Sequence, residues 1–390
     1  MTHRERAAGD SDRPGGTRRL TVRIVLDSLN AGWIIGKFAR RMVEHLPEFG
    51  VEVDVGEAPA ESVDVNHWLT YSEPWTSAFP APGYYSRNGP PSRRAKATSL
   101  VTHIDDPLKL AALKESLDRA VDLGICMSTD TLGQLVRSGI DPSKLCYVLP
   151  AHDSAVAPRR LVVGITSRLY PDGRKREDLI VAMAAKVDLS EFEFRIFGRG
   201  WERVVPLLEG AGATVRYEPG STDMDVDYRT TLEAIPGFDF YLYTGFDEGS
   251  MGTLDALAAG VETITTPQGF HLDIDGGITH PFSNAAELIA VFEAIGRERR
   301  RRVNGVRELT WRTYARRHAE IWRRLVAGER PVAGAEAAPP GRRRSISEAV
   351  RFYANARRST LRGYFVRSFW YRLKGGLSPI KRRILGARQA

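Results

Sequence analysis

The sequence predicts an α/β protein built from two Rossmann-like, doubly wound domains, with a basic helical tail behind them. Three observations lead there. Apolar runs of strand length recur at 20–26, 99–104, 161–166, 192–197 and 238–243, separated by helical patterns or Gly-rich turns. At 390 residues the chain is long enough for two domains with proper cores. Its composition, 42% apolar and 27% charged, is that of a globular protein in which disorder is local.

Residues 1–19 read as a flexible leader and residues 20–155 as the first domain. Leu20 to Leu26 alternates and then runs apolar, as a first strand should. The loop from Asn30 to Gly36, with Gly32 inside it, leads into KFARRMVEHL, where Phe38, Met42, Val43 and Leu46 keep helical spacing. A Gly turn between strand and helix faces the ligand side of such a sheet, so Gly32 is a candidate contact; tight packing is the other reading. Val63 to Leu69 is a strand, and Tyr71 to Pro91, rich in Pro, Gly and aromatics, is a long loop. The strand from Ser99 to Ile104 ends in His103-Ile104-Asp105-Asp106, at the sheet edge where α/β sites lie. Asp122 to Met127 is a further strand, Thr129 to Ser138 a helix behind a Ser-Thr-Asp cap signal, and Leu145 to Leu149 closes the domain.

The second domain, 156–328, opens on Leu161 to Thr166, followed by the basic turn SRLYPDGRK at 167–175. Strands follow at 192–197 and 213–217, with a short helix at 230–235 before the strand at 238–243. The stretch from Tyr241 to Ile274 organises the chain. Its apolar strand runs into an acidic, Gly-rich turn at 247–252, a short helix at 253–259 closed by Gly260, and a strand at 261–265. Such a turn leaves backbone N–H groups unpaired at a helix N-terminus, ready for a phosphate or sugar oxygen, while Glu248 and Asp255 can accept from hydroxyls. Anion holes beside carboxylates suit a sugar nucleotide. Pro267 to His271 forms a Gly turn whose amides can approach the same ligand, His271 reading equally as structural. Helices at 285–295 and 314–325 end the domain.

The segment 248–260 resembles the signature of retaining glycosyltransferases of family 4, which have the GT-B fold, two Rossmann-like domains facing a central cleft. That signature is Glu-Gly-x-Gly, a second Glu eight positions after the first, then Ala-x-Ala-x-Gly. Asp255-Ala256-Leu257-Ala258-Ala259-Gly260 fits with Asp for the second Glu, but Glu248 stands seven positions before Asp255. Either the turn lacks a residue or Asp247 takes the register. The resemblance covers about residues 20–328 and is strongest in the second half. It implies transfer of a sugar from a nucleotide-sugar donor to a glycan or lipid-linked acceptor, without metal or resident cofactor. It gives Arg168 and Lys175 the donor diphosphate, with Arg174 able to replace Lys175. Gly249, Ser250, Met251 and Gly252 line the donor, Glu248 meets the sugar, Asp255 the ribose, and His103 reaches the sugar from the first domain. The last helix is implied to cross back to the first domain.

Charge is divided along the chain. Residues 341–390 carry fourteen Lys and Arg against Glu348 alone, a net +13, which leaves −5 for residues 1–340 of the total +8. A linker at 329–345 leads to the tail at 346–390, where Leu361, Tyr364, Phe365, Phe369 and Leu373 share one helical face among arginines. That is the pattern of a basic amphipathic helix lying in an anionic membrane surface; nucleic acid would use the same charges but not the five apolar positions, and a solubilising tail is the plainer reading. No run reaches the length of a spanning helix and the N-terminus lacks the apolar core of a signal peptide, so a cytoplasmic protein, peripheral on the inner face of the membrane, is expected. Cys126 and Cys146 fall in apolar segments and read as buried thiols. Cell-envelope glycan or glycolipid synthesis fits these features. Two other classes stay open: a nucleotide-sugar epimerase of the same fold, and a degenerate, membrane-bound scaffold, which the shortened acidic motif would suit.

Overall fold

The computed structural model describes residues 19–26, 32, 34–70, 95–102, 107–119, 121–221 and 223–329. His103, Asp105, Asp106, the loop at 71–91, the leader to residue 18 and the chain from residue 330, with its amphipathic tail, lie outside the described residues.

Two parallel six-stranded sheets organise them, as the sequence predicts. The first contains β1 (Leu20–Val25), β2 (Val51–Gly56), β3 (Val65–Trp68), β4 (Lys96–Val101), β5 (Leu123–Cys126) and β6 (Leu145–Tyr147), in the order β2-β1-β3-β4-β5-β6. Helices α1 (Ile34–His45), α2 (Pro107–Arg119) and α3 (Thr129–Arg137) lie between its strands in sequence. The second contains β7 (Leu161–Ile165), β8 (Phe192–Phe197), β9 (Thr214–Glu218), β10 (Phe240–Tyr243), β11 (Glu262–Thr265) and β12 (His280–Pro281), ordered β12-β11-β10-β7-β8-β9. Its helices are α4 (Glu177–Ala184), α5 (Val205–Gly210), α6 (Met224–Ala234), α7 (Met251–Ala258) and α8 (Ala285–Val306). The chain ends its described part in α9 (Trp311–Val326).

Central strands are buried on both faces, which is why they read as continuous apolar runs: every residue of β3, β5 and β10 is buried. In each sheet the strand order reverses once, between β1 and β3 and between β7 and β10. The crevice beyond the strand ends at such a reversal is the ligand position of open α/β sheets.

Several predicted elements change extent. The short helix at 230–235 is the end of α6, which starts at Met224 behind the Asp223 cap; none of its residues is buried, so no apolar stripe announces it. The helix at 285–295 runs on to Val306 because Arg299 is buried against Glu191 (3.1 Å) and Arg301 pairs with Glu298 (2.8 Å), holding turns that carry little apolar pattern. Strand β2 was not anticipated; it is an edge strand whose Glu52, Asp54 and Val55 are exposed.

The helix α9 packs on the first sheet. Trp311, Tyr314, Ala315, Ala319 and Trp322 join one core with Leu20, Val22, Ile24, Phe38, Met42 and Val65. Where the chain enters α9, the His152 N–H donates to the Leu309 carbonyl (2.8 Å), and the Asp153 carboxylate accepts from Lys37 (2.5 Å), Arg41 (3.3 Å) and Trp311 Nε1 (3.0 Å). Deeper in, Trp322 Nε1 donates to Thr98 Oγ1 (3.1 Å), which also meets His67 Nδ1 (2.9 Å). His318 Nδ1 donates to the Tyr314 carbonyl (2.9 Å) and its ring lies 5.4 Å from that of His67. Both cysteines are free and buried; burial pushes the Cys126 thiol up to about 12 and Cys146 higher still, so neither is a ready nucleophile.

Burial holds both imidazoles neutral, His67 well below its ordinary value of 6.5 and His318 at about 4. The unfolded chain takes up these protons first, so their contribution to stability is complete above pH 6.5 and is lost progressively as pH falls toward 4. The urea midpoint of the first-sheet core, followed by tryptophan fluorescence, is expected to fall over that window; a midpoint unchanged from pH 7 to pH 5 would contradict this.

Candidate functional site

At the reversal of the second sheet, the turns after β7 and β10 meet. The Lys175 ammonium, at the end of the turn after β7, donates to Tyr243 Oη (2.6 Å) and pairs with Asp247 (2.9 Å); its side chain is only 14% exposed. Tyr243 Oη donates in turn to Asp247 Oδ1 (2.5 Å), which also accepts from the Gly249 N–H (3.1 Å). Burial pushes the Asp247 carboxyl up, but the bonds from Lys175, Tyr243 and Gly249 outweigh it and leave it below its ordinary value. Burial, then the hydrogen bond to Asp247 and its charge, drives the Tyr243 phenol up, so it stays protonated.

These contacts separate the candidates that the sequence left open. Of the two adjacent cations at the end of the basic turn, Arg174 has its side chain 4.0 Å over the Tyr170 ring and beside Asp172 (3.5 Å), whereas the Lys175 side chain reaches the acidic turn. Of the two acids, Asp247 is consumed by internal bonds. Glu248 is exposed, and among the described residues its carboxylate has no partner.

Gly249 has φ +118°, a backbone that L side chains rarely adopt, and a Cβ there would stand 2.7 Å from the Phe270 ring. Ser250 is the N-cap of α7, but its Oγ bonds to Tyr241 Oη (2.9 Å) instead of capping. Tyr241 Oη also meets Thr166 Oγ1 at the end of β7 (2.8 Å). Gly252 lies so close to this pair that a Cβ would be 2.3 Å from Thr166 Oγ1. Met251 is 68% exposed, and among the described residues its N–H and that of Gly252 have no acceptor, as expected of a first helical turn. Asp255 is half-buried one turn along, where its charge acts on Tyr241. Arg168 is exposed and shares with Arg199 the field that lowers Asp227, after the stronger effect of the Ser221 hydrogen bonds.

Lys175, Gly249, Ser250, Gly252 and Asp255 thus gather around the β7–β10 reversal, with Glu248 and Met251 exposed beside them. Gly32 is exposed just before α1, and no atom comes within 4 Å of a Cβ placed on it. Sequence reasoning missed Tyr241, Tyr243 and Thr166. The two tyrosines stand two apart in a strand and so share a face, but inside an apolar run they read as core. Among the described residues no group of three or more His, Cys, Asp and Glu is placed to hold a metal, and no helix is long and apolar enough to cross a membrane.

No protein-family model matches the chain, and no characterised protein matches it in sequence. Solved structures do resemble it. The lipopolysaccharide outer core galactosyltransferase WaaB matches at 12% identity over 78% of this chain and 100% of its own, with a TM-score of 0.32. Sucrose-phosphate synthase from Thermosynechococcus elongatus matches at 12% identity over 80% and 100%, TM-score 0.30. A chain of the GtfA/B complex matches at 16% identity over 60% of this chain and 54% of its own, about half its length, TM-score 0.26. At these scores the likeness carries no functional weight, and the fold is defined by the two sheets themselves.

Proposed function

We propose that the chain is a GT-B glycosyltransferase that moves a sugar from a nucleotide-sugar donor to a glycan or lipid-linked acceptor with retention of configuration. The observation that carries this reading is the meeting, at the β7–β10 reversal, of a nearly buried lysine with an acidic Gly turn and the uncapped start of α7. When the bond between sugar and diphosphate breaks, negative charge grows on the departing nucleoside diphosphate. Fixed cations and backbone N–H groups stabilise that charge without having to reorganise. Lys175 and Arg168 supply the cations in this reading, and the N–H groups of Met251 and Gly252 supply the amides, in a turn shaped by Gly249 and Ser250. Glu248 accepts from the sugar hydroxyls and Asp255 from the ribose. His103 and Gly32, in the N-terminal half of the chain, are proposed to contribute the remaining contacts. The basic tail, 346–390, is proposed to hold the enzyme on an anionic membrane surface, where an envelope acceptor would be met.

Thermal unfolding with a panel of UDP-, GDP-, ADP- and dTDP-sugars tests the donor site. A ligand that binds only the folded state stabilises it, by about 2.7 kcal/mol at a hundredfold excess over Kd. One nucleotide class is expected to raise the melting temperature of the wild type, and Arg168→Ala and Asp255→Ala are each expected to abolish the rise. No rise with any sugar nucleotide would sink the assignment and favour a scaffold.

A further inference from the structure

The turn that carries Glu248 is fastened on one side by Lys175 and Tyr243, which hold Asp247. On the other side it is fastened by an imidazole. His271 sits in the 3-10 turn Gly269–Asp273 and is 1% exposed. Its Nε2 stands 3.1 Å from the Ser250 N–H. A backbone N–H only donates, so Nε2 must be the acceptor and carry no proton. In the neutral ring the proton is then on Nδ1, which faces Thr265 Oγ1 (3.2 Å) and the Thr266 carbonyl (3.4 Å). The ring is wedged edge-on between Tyr243 (5.8 Å) and Phe270 (5.0 Å). It packs straight onto the backbone of the turn, since a Cβ at Gly249 would lie 2.9 Å from Nε2. The Phe270 N–H adds a second strap to the Glu248 carbonyl (3.1 Å).

We propose that His271 is a positioning residue, whose neutral, Nδ1-protonated ring holds residues 247–250 and the start of α7 in the arrangement that receives the donor, and whose protonation releases that turn. A proton on Nε2 would set two donors against each other at Ser250, and the buried ring has no room to turn away. Among the described residues the charges around it are few. Asp247, from the turn, favours the protonated ring but is already paired with Lys175; Tyr243, from β10, stays neutral; from β11 the uncharged Thr265 meets the ring, while Glu262 pairs with His280. Burial pushes the imidazole down and outweighs the pull of the Thr266 carbonyl and Asp247, so the ring is neutral at ordinary pH and protonates below 6.5.

The role assigned to the turn rests on the donor-site reading, whereas the fastening itself does not, and two measurements keep them apart. Amide exchange of peptides spanning 246–254, followed by mass spectrometry from pH 5 to pH 8 and corrected for intrinsic rates, reads the turn alone. Protection is expected to be high in the wild type at pH 8 and to fall by about tenfold or more toward pH 5. His271→Gln, whose side-chain oxygen can accept at the Nε2 position without titrating, is expected to stay protected throughout, and His271→Phe to be unprotected throughout. Wild-type protection that is flat with pH, or a Phe variant as protected as the wild type, would overturn the proposal. If the Phe variant does not fold, 15N shifts of the His271 ring decide instead: an Nδ1–H tautomer supports the fastening and an Nε2–H tautomer refutes it. Titration with UDP, GDP, ADP and dTDP is the second measurement. Binding that weakens on acidification in the wild type but not in His271→Gln ties the fastening to the donor. If none of the four binds while the exchange pattern holds, the donor reading fails and the fastening stands.

Discussion

Replacing Lys175 with methionine is expected to lower kcat/KM for a sugar-nucleotide donor by roughly 10²–10³-fold while leaving the fold intact. The methionine keeps most of the aliphatic stem that fills the space beside Tyr243, so the loss is that of the charge. The partners left behind tolerate it. Asp247 keeps its bonds from Tyr243 and the Gly249 N–H, and its side chain is 27% exposed, so water can solvate the oxygen that Lys175 leaves. The effect should fall mainly on kcat, because the charge on the diphosphate grows as the bond breaks, and a cation held in place matters most there. An unchanged kcat/KM would remove Lys175 from the chemistry and leave it as a strut for the acidic turn.

Replacing Trp322 with alanine is expected to destabilise the first-sheet core by about 3–5 kcal/mol. The indole is fully buried, its Nε1 donates to Thr98 Oγ1, and its ring lies 5.3 Å from His67 and 5.4 Å from His318. Truncation opens a cavity and leaves the Thr98 hydroxyl and the two imidazoles with fewer partners. Because α9 shares its core with β1, β3 and α1, unfolding followed by amide exchange should show faster exchange in those elements and little change in β8 or β10. A loss below about 1 kcal/mol would mean that α9 is not integral to the first core.

Much of this architecture can be read from the chain because central parallel strands are buried on both faces. β5, β7 and β10 stand out as apolar runs for that reason, β8 alternates its apolar residues with Glu193 and Arg195, β4 begins at Lys96, three residues before the run that announces it, and the Ser128 cap marks α3 through its bond from the Thr131 N–H (3.0 Å). The misses follow from the same physics. β2 lies at a sheet edge and alternates valine with acids, α6 buries nothing, and the second half of α8 is held by ion pairs that have no apolar period. The donor-site candidates are legible only as residue types in a turn. That Lys175 rather than Arg174 meets the acidic turn depends on which ring each side chain lies against, and that depends on the crossing from β7 to β10. His271 is legible as a residue but not as a fastening, because its partner is a backbone N–H twenty-one positions earlier, on a turn brought to it by β11.

The most direct test of the proposed donor site is calorimetric titration of UDP, GDP, ADP and dTDP, each beside its monophosphate, into the wild type and into Lys175→Met. The expected result is one diphosphate that binds the wild type, binds at least tenfold more weakly to the variant, and loses most of its affinity when reduced to the monophosphate. A diphosphate that binds both proteins equally, or a monophosphate that binds as well as its diphosphate, would contradict the placement of the diphosphate at Lys175.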